Sequence, residues 1–296
     1  MPLSIKPLHP LFAAEVRGID LRRPVSQSQA REFVAAMDRY AVSVLPEQFI
    51  DDEQQVSFAR LFGELEIRPI QRGRNRYPAS DERIRHHEIF DVSNLDGYGN
   101  MLPPDDERRA YSLANRLWHT DSSFRQVSAT YSMLSARIIP PNDADTEFAD
   151  LRAAYDALPP AMKARLEGKV AYHSIWHSRE KLGGYQPNEE EREARPGAFH
   201  PLVRRHAGSG RMTLYLASHA SAIVGMDDDE ARALLAELIA FATEPRFVYR
   251  HKWRAGDLVV WDNRCTMHRA TPFEDTAHVR DMRRTTVRDN EAALSA

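Results

Sequence analysis

The sequence is poor in cysteine, in net charge and in long apolar runs, and each absence excludes a class of protein. Its 296 residues include one cysteine, Cys265, so no internal disulfide framework can form and a reducing compartment is expected. Forty basic and 43 acidic residues give a net charge of −3, which offers no basic excess for nucleic acid or an anionic membrane. Neither a signal peptide nor an apolar run long enough to span a membrane is present, so we expect a cytoplasmic protein.

What is present is an ordinary globular composition, with 42% hydrophobic and 28% charged residues. Apolar periodicity predicts strands and helices that do not alternate regularly, which favours an antiparallel β core with helices packed outside. The predicted helices are 28–40, 51–63, 149–158, 160–168 and 228–243. The predicted strands are 11–20, 41–45, 89–93, 129–139, 212–216, 247–252, 257–262 and 283–288. Two polar segments, 66–110 and 178–199, are predicted to be mobile loops; the first is rich in arginine and is either a functional lid or a solvated surface loop.

The segment LWHTDSSF contains His119 and Asp121 two residues apart. In a strand, both side chains would project to the same side, where an imidazole nitrogen and a carboxylate oxygen suit a divalent metal. Chance alone supplies such a pair in a chain with 12 histidines, so a structural histidine with a nearby carboxylate is the alternative. His268, which follows an apolar strand and a polar turn, supplies a third ligand. Two histidines and one carboxylate form the facial triad of non-haem Fe(II) oxygenases, and zinc is the competing metal.

Three arginines, Arg280, Arg283 and Arg284, fall in a predicted strand near the end of the chain. Arg280 and Arg284 have an even spacing, so both would face one side and could bind two carboxylates. A solvated basic edge strand is the alternative interpretation.

Long motifs then identify a resemblance that covers nearly the whole chain. They include PLHPLFAAEVRGIDLR, QQVSFARLFGELE, LWHTDSSF, YSMLSARIIPPNDADTEFADLRAAYDALP, RRHAGSGR, FVYRHKW and GDLVVWDNRCTMHRAT. The sequence resembles the taurine and 2,4-dichlorophenoxyacetate dioxygenase family, and within it most of all the phenoxyalkanoate branch. The resemblance implies a single domain over residues 1–296, mainly β with flanking helices, built on a double-stranded β-helix (jelly-roll, cupin-like) core.

The resemblance also implies the cofactors and the site. Fe(II) would be bound by His119, Asp121 and His268, with 2-oxoglutarate and O₂ as co-substrates. Thr146 matches the residue that hydrogen-bonds the 2-oxoglutarate carboxylate near the metal, and Arg280 matches the arginine that pairs with the distal carboxylate. Asn115 and Arg284 match substrate-binding residues. Arg283 could replace Arg284 if the strand carries a bulge.

The implied activity is hydroxylation of a small anionic substrate, coupled to conversion of 2-oxoglutarate to succinate and CO₂. An aryloxyalkanoate would be cleaved to a phenol and an oxo-acid, a reaction of aromatic compound catabolism. A taurine-like sulfonate or another carboxylate is the alternative substrate, and a zinc hydrolase or a non-catalytic binding module is the alternative function. We expect a homo-oligomer with no nucleic acid and no membrane partner.

Other residues that could carry chemistry have structural alternatives. His206 and His219 could line an anion pocket or be hydrogen-bonded structural residues. His173 and His177 have a spacing of four, as on a zinc-binding helix, but no HExxH glutamate accompanies them, so a structural or loop position is expected. We also expect structural roles for His251, Trp118, Trp261 and Cys265.

Overall fold

The structure is a computed structural model, and it describes residues 2–68, 83–142, 144–183 and 185–289. The strands are β1 (Ser4–Pro7), β2 (Ala14–Arg17), β3 (Val42–Leu45), β4 (Phe90–Asp91), β5 (Ala129–Ile138), β6 (Thr146–Asp150), β7 (Val170–His173), β8 (Ala198–Pro201), β9 (Val203–Arg205), β10 (Met212–Leu214), β11 (Ala220–Ile223), β12 (Val248–His251), β13 (Leu258–Asp262), β14 (Thr266–Ala270) and β15 (Asp281–Arg288). The helices are α1 (Gln27–Tyr40), α2 (Asp52–Ala59), α3 (Glu107–Leu113), α4 (Leu151–Ala157), α5 (Pro160–Leu166), α6 (Ile175–Gly183), α7 (Glu189–Ala194) and α8 (Asp228–Ala242).

The largest sheet has the strand order β1-β2-β3-β13-β5-β15-β4 and is antiparallel except between β2 and β3. Its central strand β13 is buried on both faces, which explains its continuous apolar run. Leu258 and Val260 pack with α1 and α2 on one face. Val259 and Trp261 point to the opposite face, toward a second sheet. Because residues alternate between the faces, β13 joins the two apolar clusters.

The second sheet has the order β12-β6-β14 and packs against the large sheet through Phe148 of β6. The rings of Phe148 and Trp261 have centroids 5.5 Å apart. On the far side of this small sheet, Ala149 and Met267 pack with α4 and α8. The remaining strands form a three-stranded sheet, β11-β7-β8, and a two-stranded one, β10-β9. The core therefore consists of stacked layers, with the space between the large and small sheets leading to the site described below.

The predicted elements agree with most of this architecture. The five predicted helices and the eight predicted strands all correspond to observed elements, with ends that differ by a few residues. Helical and strand residues are about equally numerous in the described ranges, so the chain is mixed and not mainly β. None of the helices there has the length and apolar composition needed to cross a membrane.

The prediction of a loop over 178–199 is wrong, because α6 continues to residue 183 and α7 follows it. Asn188 accepts a hydrogen bond from the Glu191 backbone, and the Glu191 side chain accepts one from the Asn188 backbone, which caps α7. The acidic first turn of α7 also suits the positive end of a helix. Within the other predicted loop, 66–110, the structure has β4 and the start of α3, while 69–82 lie outside the described residues.

Candidate active site

His119, Asp121 and His268 come together between the two sheets, with their ligand atoms within 4.8 Å of one another. His268 lies on β14, and His119 pairs with it through an isolated bridge, with backbone N–O distances of 3.0 and 2.8 Å. Asp121 lies in the turn that follows His119. The expectation that His119 and Asp121 share a strand face is therefore wrong, although the turn still directs both side chains to one point.

The two imidazoles are in the form that binds a metal. Burial lowers the pKa of His119 and that of His268, so both rings are neutral at pH 7. His119 Nδ1 lies 2.8 Å from the Leu117 carbonyl oxygen, which leaves Nε2 as the ligand atom. The Nε2 atoms of His119 and His268 lie 4.0 and 3.8 Å from the nearest Asp121 carboxylate oxygens. Two neutral imidazole nitrogens and one carboxylate fit a divalent metal such as Fe(II).

Asp121 is held by a buried network that the sequence interpretation missed. The Ser132 hydroxyl donates to Asp121 Oδ2 at 2.8 Å, and Asn263 Nδ2 donates to the same hydroxyl at 2.9 Å. Asn263 Oδ1 in turn accepts from the Asp121 backbone at 3.2 Å and from Trp261 Nε1 at 3.0 Å. Asn263 lies in the GDLVVWDNRCTMHRAT motif, which is the only sequence signal for this network. Ser132 is an unremarkable residue of a predicted strand.

Arg284 contacts the ligand carboxylate directly, since its Nη1 donates to Asp121 Oδ1 at 2.6 Å. Burial raises the pKa of Asp121, but the positive charge of Arg284 and the Ser132 hydrogen bond outweigh it. The resulting pKa lies well below the usual range, so Asp121 is ionised at any pH relevant to the enzyme.

The positions of Arg280, Arg283 and Arg284 in and before β15 determine which of these side chains face the cavity. Arg280 and Arg284 both line one cavity with the triad, as their even spacing predicts. The Arg283 side chain lies on the opposite face, where its Nη2 is 3.4 Å from Asp281 Oδ2. The Arg283 backbone carbonyl accepts a hydrogen bond from the Gln55 side chain. The two irregularities in the pairing of β15 with β5 lie between Asp281 and Met282 and between Thr286 and Arg288, so neither separates Arg283 from Arg284 or exchanges their faces.

Arg280 is buried, and among the described residues no hydrogen-bond or ion-pair partner contacts its guanidinium. Burial lowers the pKa of Arg280 to about 10, so the group remains charged at neutral pH. Thr146, at the start of β6, lies on the same cavity wall and accepts a hydrogen bond from Trp253 Nε1 at 2.9 Å. Burying a guanidinium without a counterion destabilises the folded protein, and a ligand carboxylate would supply the missing negative charge.

The cavity has a volume of about 510 Å³ and an apolar surface larger than its polar surface. Aromatic residues from separate segments, Phe90, Phe124 and Phe273, line it. Asn115, in the short 3₁₀ helix that follows α3, also lies on this wall, where a substrate-pocket residue is expected. The size and lining suit a small aromatic or aliphatic acid.

The remaining histidines are distributed between the cavity and the core. His219 lines the cavity, with its Nδ1 2.8 Å from the Ser178 hydroxyl and its ring centroid 5.9 Å from that of His119. His206 is structural, since its Nε2 lies 2.9 Å from Asp262 Oδ2 in the interior. His173 ends β7 and His177 lies on α6, so they do not share a helix.

The predicted structural roles of four further residues agree with their contacts. His251 pairs with Asp257 at 3.1 Å, and Trp118 and Trp261 are buried, the latter also reaching the cavity. Cys265 is buried near His206 and Asp262. Burial raises the pKa of Cys265, and Arg264 and His206 engage the Asp262 carboxylate, so we interpret this cluster as a structural ion-pair network.

Comparisons with known proteins agree with this geometry. The 2,4-dichlorophenoxyacetate dioxygenase of Cupriavidus pinatubonensis, described as alpha-ketoglutarate-dependent, is 44% identical over 290 residues, covering 98% of this chain and 99% of that protein. The (S)-phenoxypropionate/alpha-ketoglutarate-dioxygenase of Sphingobium herbicidovorans is 36% identical, covering 92% of this chain and 91% of that protein. The crystal structure of AAD-2 in complex with Mn(II) and N-oxalylglycine has a TM-score of 0.87 and 44% identity, and covers 97% of both chains.

A family model described as taurine catabolism dioxygenase TauD, TfdA family, matches residues 4–286. This match spans the triad and the cavity arginines Arg280 and Arg284. The chain therefore belongs to the TauD, TfdA family of dioxygenases.

Proposed function

We propose that the chain is an Fe(II)- and 2-oxoglutarate-dependent dioxygenase that hydroxylates small anionic substrates and cleaves aryloxyalkanoate ethers. One observation carries this proposal: a buried triad of His119, Asp121 and His268 opens into a cavity that also holds the guanidinium of Arg280, which has no partner among the residues that the structure describes. The relatives that act on 2,4-dichlorophenoxyacetate and (S)-phenoxypropionate support the same substrate class.

The roles of the residues follow from their contacts. His119, Asp121 and His268 would hold Fe(II), while Ser132 and Asn263 fix the carboxylate of Asp121. When bound, iron and 2-oxoglutarate supply the oxidation, in which O₂ gives succinate, CO₂ and a hydroxylated substrate carbon.

The co-substrate would be held by Arg280, whose charge suits its distal carboxylate, and by Thr146, whose hydroxyl already accepts from Trp253 and keeps its own proton for donation. Asn115 and Arg284 would contact the substrate. The aromatic side chains around the cavity exclude water and hold the substrate body in place, so that a single C–H bond is presented to the metal site. Hydroxylation of a carbon next to an ether oxygen gives a hemiacetal, which collapses to a phenol and an oxo-acid.

The test is release of succinate and CO₂ from 2-oxoglutarate, dependent on added Fe(II) and ascorbate, with a panel of possible substrates. The panel contains aryloxyacetates, both enantiomers of an aryloxypropionate, arylalkanoates and alkyl sulfonates. We expect the fastest turnover with an aryloxyalkanoate, with phenol formed in proportion to succinate. Turnover of sulfonates alone would show that the substrates are sulfonates and not aryloxyalkanoates, and would leave the proposed dioxygenase reaction unchanged. Hydrolysis of a substrate with Zn(II), without consumption of 2-oxoglutarate, would overturn the proposal.

The finer description of the fold is also a proposal. We propose that the large sheet and the β12-β6-β14 sheet are the two faces of a double-stranded β-helix (jelly-roll) and that residues 1–296 form one domain. Support comes from the stacking of the two sheets around the triad and from the likeness to AAD-2. A cytoplasmic location and a homo-oligomeric state likewise remain predictions, which cell fractionation and light scattering of the purified protein would test.

A further inference from the structure

Arg179 lies on the cavity wall formed by α6, whereas Arg280 and Arg284 belong to the β15 segment. Its side chain is buried, with 8% of the residue exposed. Its Nη1 donates to the Tyr111 carbonyl at 2.9 Å and to Asn115 Oδ1 at 3.1 Å, and the guanidinium stacks over the Tyr111 ring at 4.2 Å. All of these partners are neutral.

Within the described residues, no carboxylate lies within 4 Å of the Arg179 guanidinium, and its Nε is buried without a hydrogen-bond partner. Two other cavity arginines differ: Arg109 pairs with Asp275 at 2.6 Å, and Arg284 pairs with Asp121 at 2.6 Å. A buried charge that lacks a counterion is costly unless a ligand supplies one. The distal carboxylate of 2-oxoglutarate would be the counterion of Arg280. A counterion for Arg179 therefore has to be a second anion.

The contact with Arg179 also decides how Asn115 is oriented. Because Asn115 Oδ1 accepts from Arg179, the Nδ2 group of the same amide is the end left for a ligand. Arg195 adds a further guanidinium on this wall, where its Nη1 donates to the Tyr111 hydroxyl at 3.2 Å. The wall therefore presents N–H donors, which suit the oxygens of a carboxylate or sulfonate.

We infer that Arg179 and Asn115 form an anion subsite that binds the acidic group of the primary substrate. This inference rests on the proposed function, because it concerns the same cavity and the same substrate class. Arg284 alone would be a compromised anchor, since the substrate would compete with Asp121 for its guanidinium. Arg179 has no such competitor, so it determines specificity for acids while Arg284 stays in contact with the metal ligand.

The experiment measures binding by calorimetry, with the full-length protein loaded with Mn(II) and N-oxalylglycine. Phenoxyacetate is compared with its neutral amide in wild type, Arg179→Gln and Arg179→Lys. We expect Arg179→Gln to weaken the acid about 10- to 100-fold, the loss typical of a charge-assisted hydrogen bond, and to leave the amide unchanged. Arg179→Lys keeps the charge but not the fork, so a smaller loss for the acid is expected. Arg192→Gln, at an exposed position on α7 paired with Glu180, is the matched control and should bind both ligands as wild type does.

Each other outcome has a definite meaning. An equal loss for acid and amide would show that Arg179 only holds α3 and Asn115 in place, and would overturn the inference. Unchanged binding of the acid to Arg179→Gln, in a protein with a wild-type melting temperature, would also overturn it. If Arg179→Gln does not fold, equal losses for the acid and the amide in Arg179→Lys would overturn it instead. Failure of wild type to bind phenoxyacetate or any other acid of the panel would overturn the proposed substrate class and, with it, the inference.

Discussion

Replacement of Ser132 by alanine tests whether the buried network around Asp121 prepares the carboxylate for metal binding. The Ser132 side chain is fully buried on β5 and makes two good hydrogen bonds, to Asp121 Oδ2 at 2.8 Å and from Asn263 Nδ2 at 2.9 Å. The alanine side chain removes the oxygen that joins these two groups and adds no new contact.

The expected loss of unfolding free energy follows from the two hydrogen bonds that the Ser132 hydroxyl makes. Leaving Asn263 Nδ2 buried and unpartnered, and removing a donor from an ionised carboxylate, together cost about 2–4 kcal/mol of unfolding free energy. Loss of a residue that orients a metal ligand typically weakens metal binding about 10- to 100-fold. We therefore expect Ser132→Ala to be folded, less stable, and in need of about 10- to 100-fold more Fe(II) for half-maximal succinate formation.

The assay is an Fe(II) titration of turnover, paired with denaturant unfolding of the metal-free protein. Ser135→Ala is the matched control, because Ser135 lies on the same strand, is equally buried and has a hydroxyl that makes no hydrogen bond to any described residue. We expect that control to match wild type in metal requirement. If Ser132→Ala loses stability but binds Fe(II) as tightly as Ser135→Ala, the network supports the fold alone and our reasoning about the carboxylate is wrong.

Three further predictions concern the triad, the co-substrate and the pH dependence of stability. Alanine at His119, Asp121 or His268 should abolish turnover in a folded protein; full succinate formation by any of the three variants would reject the triad. Arg280→Ala should raise the 2-oxoglutarate KM tens- to thousands-fold, as expected for about 2–5 kcal/mol, with the substrate KM nearly unchanged. Burial, with nearby His200 and Arg204, lowers the pKa of His173 to about 3 in the folded protein. As the pH falls below 6.5, His173 therefore becomes protonated in the unfolded chain but not in the folded protein, which lowers the unfolding free energy. Wild type should lose about 1.4 kcal/mol of unfolding free energy per pH unit in that range relative to His173→Phe, measured by denaturant unfolding at pH 7 and pH 5; equal losses would contradict this.

Much of the secondary structure was predictable because it depends on local pattern. The apolar stripe of 28–40 and the acidic start and glycine end of 51–63 are properties of a few neighbouring residues, and α1 and α2 formed there. The segment 178–199 misled the prediction for a related reason. An exposed helix such as α7 needs few apolar residues, so its polar composition is the same as that of a loop, and its capping box is the only local signal.

Residue types and long motifs by themselves predicted the triad of His119, Asp121 and His268, the two arginines Arg280 and Arg284 that line the cavity, and the family. They could do so because a metal site restricts which side chains are chemically suitable, and because guanidinium groups are the side chains that bind carboxylates best. Only the tertiary structure decided which hydrogen bonds hold these groups in place and which buried charges have a counterion. Ser132 reaches Asp121 across the packed sheets, and Arg179 reaches Asn115 from a different helix, at 64 residues of separation. Such contacts, and the lack of a counterion for the Arg179 guanidinium among the described residues, depend on which distant segments the fold brings together, and no local pattern records them.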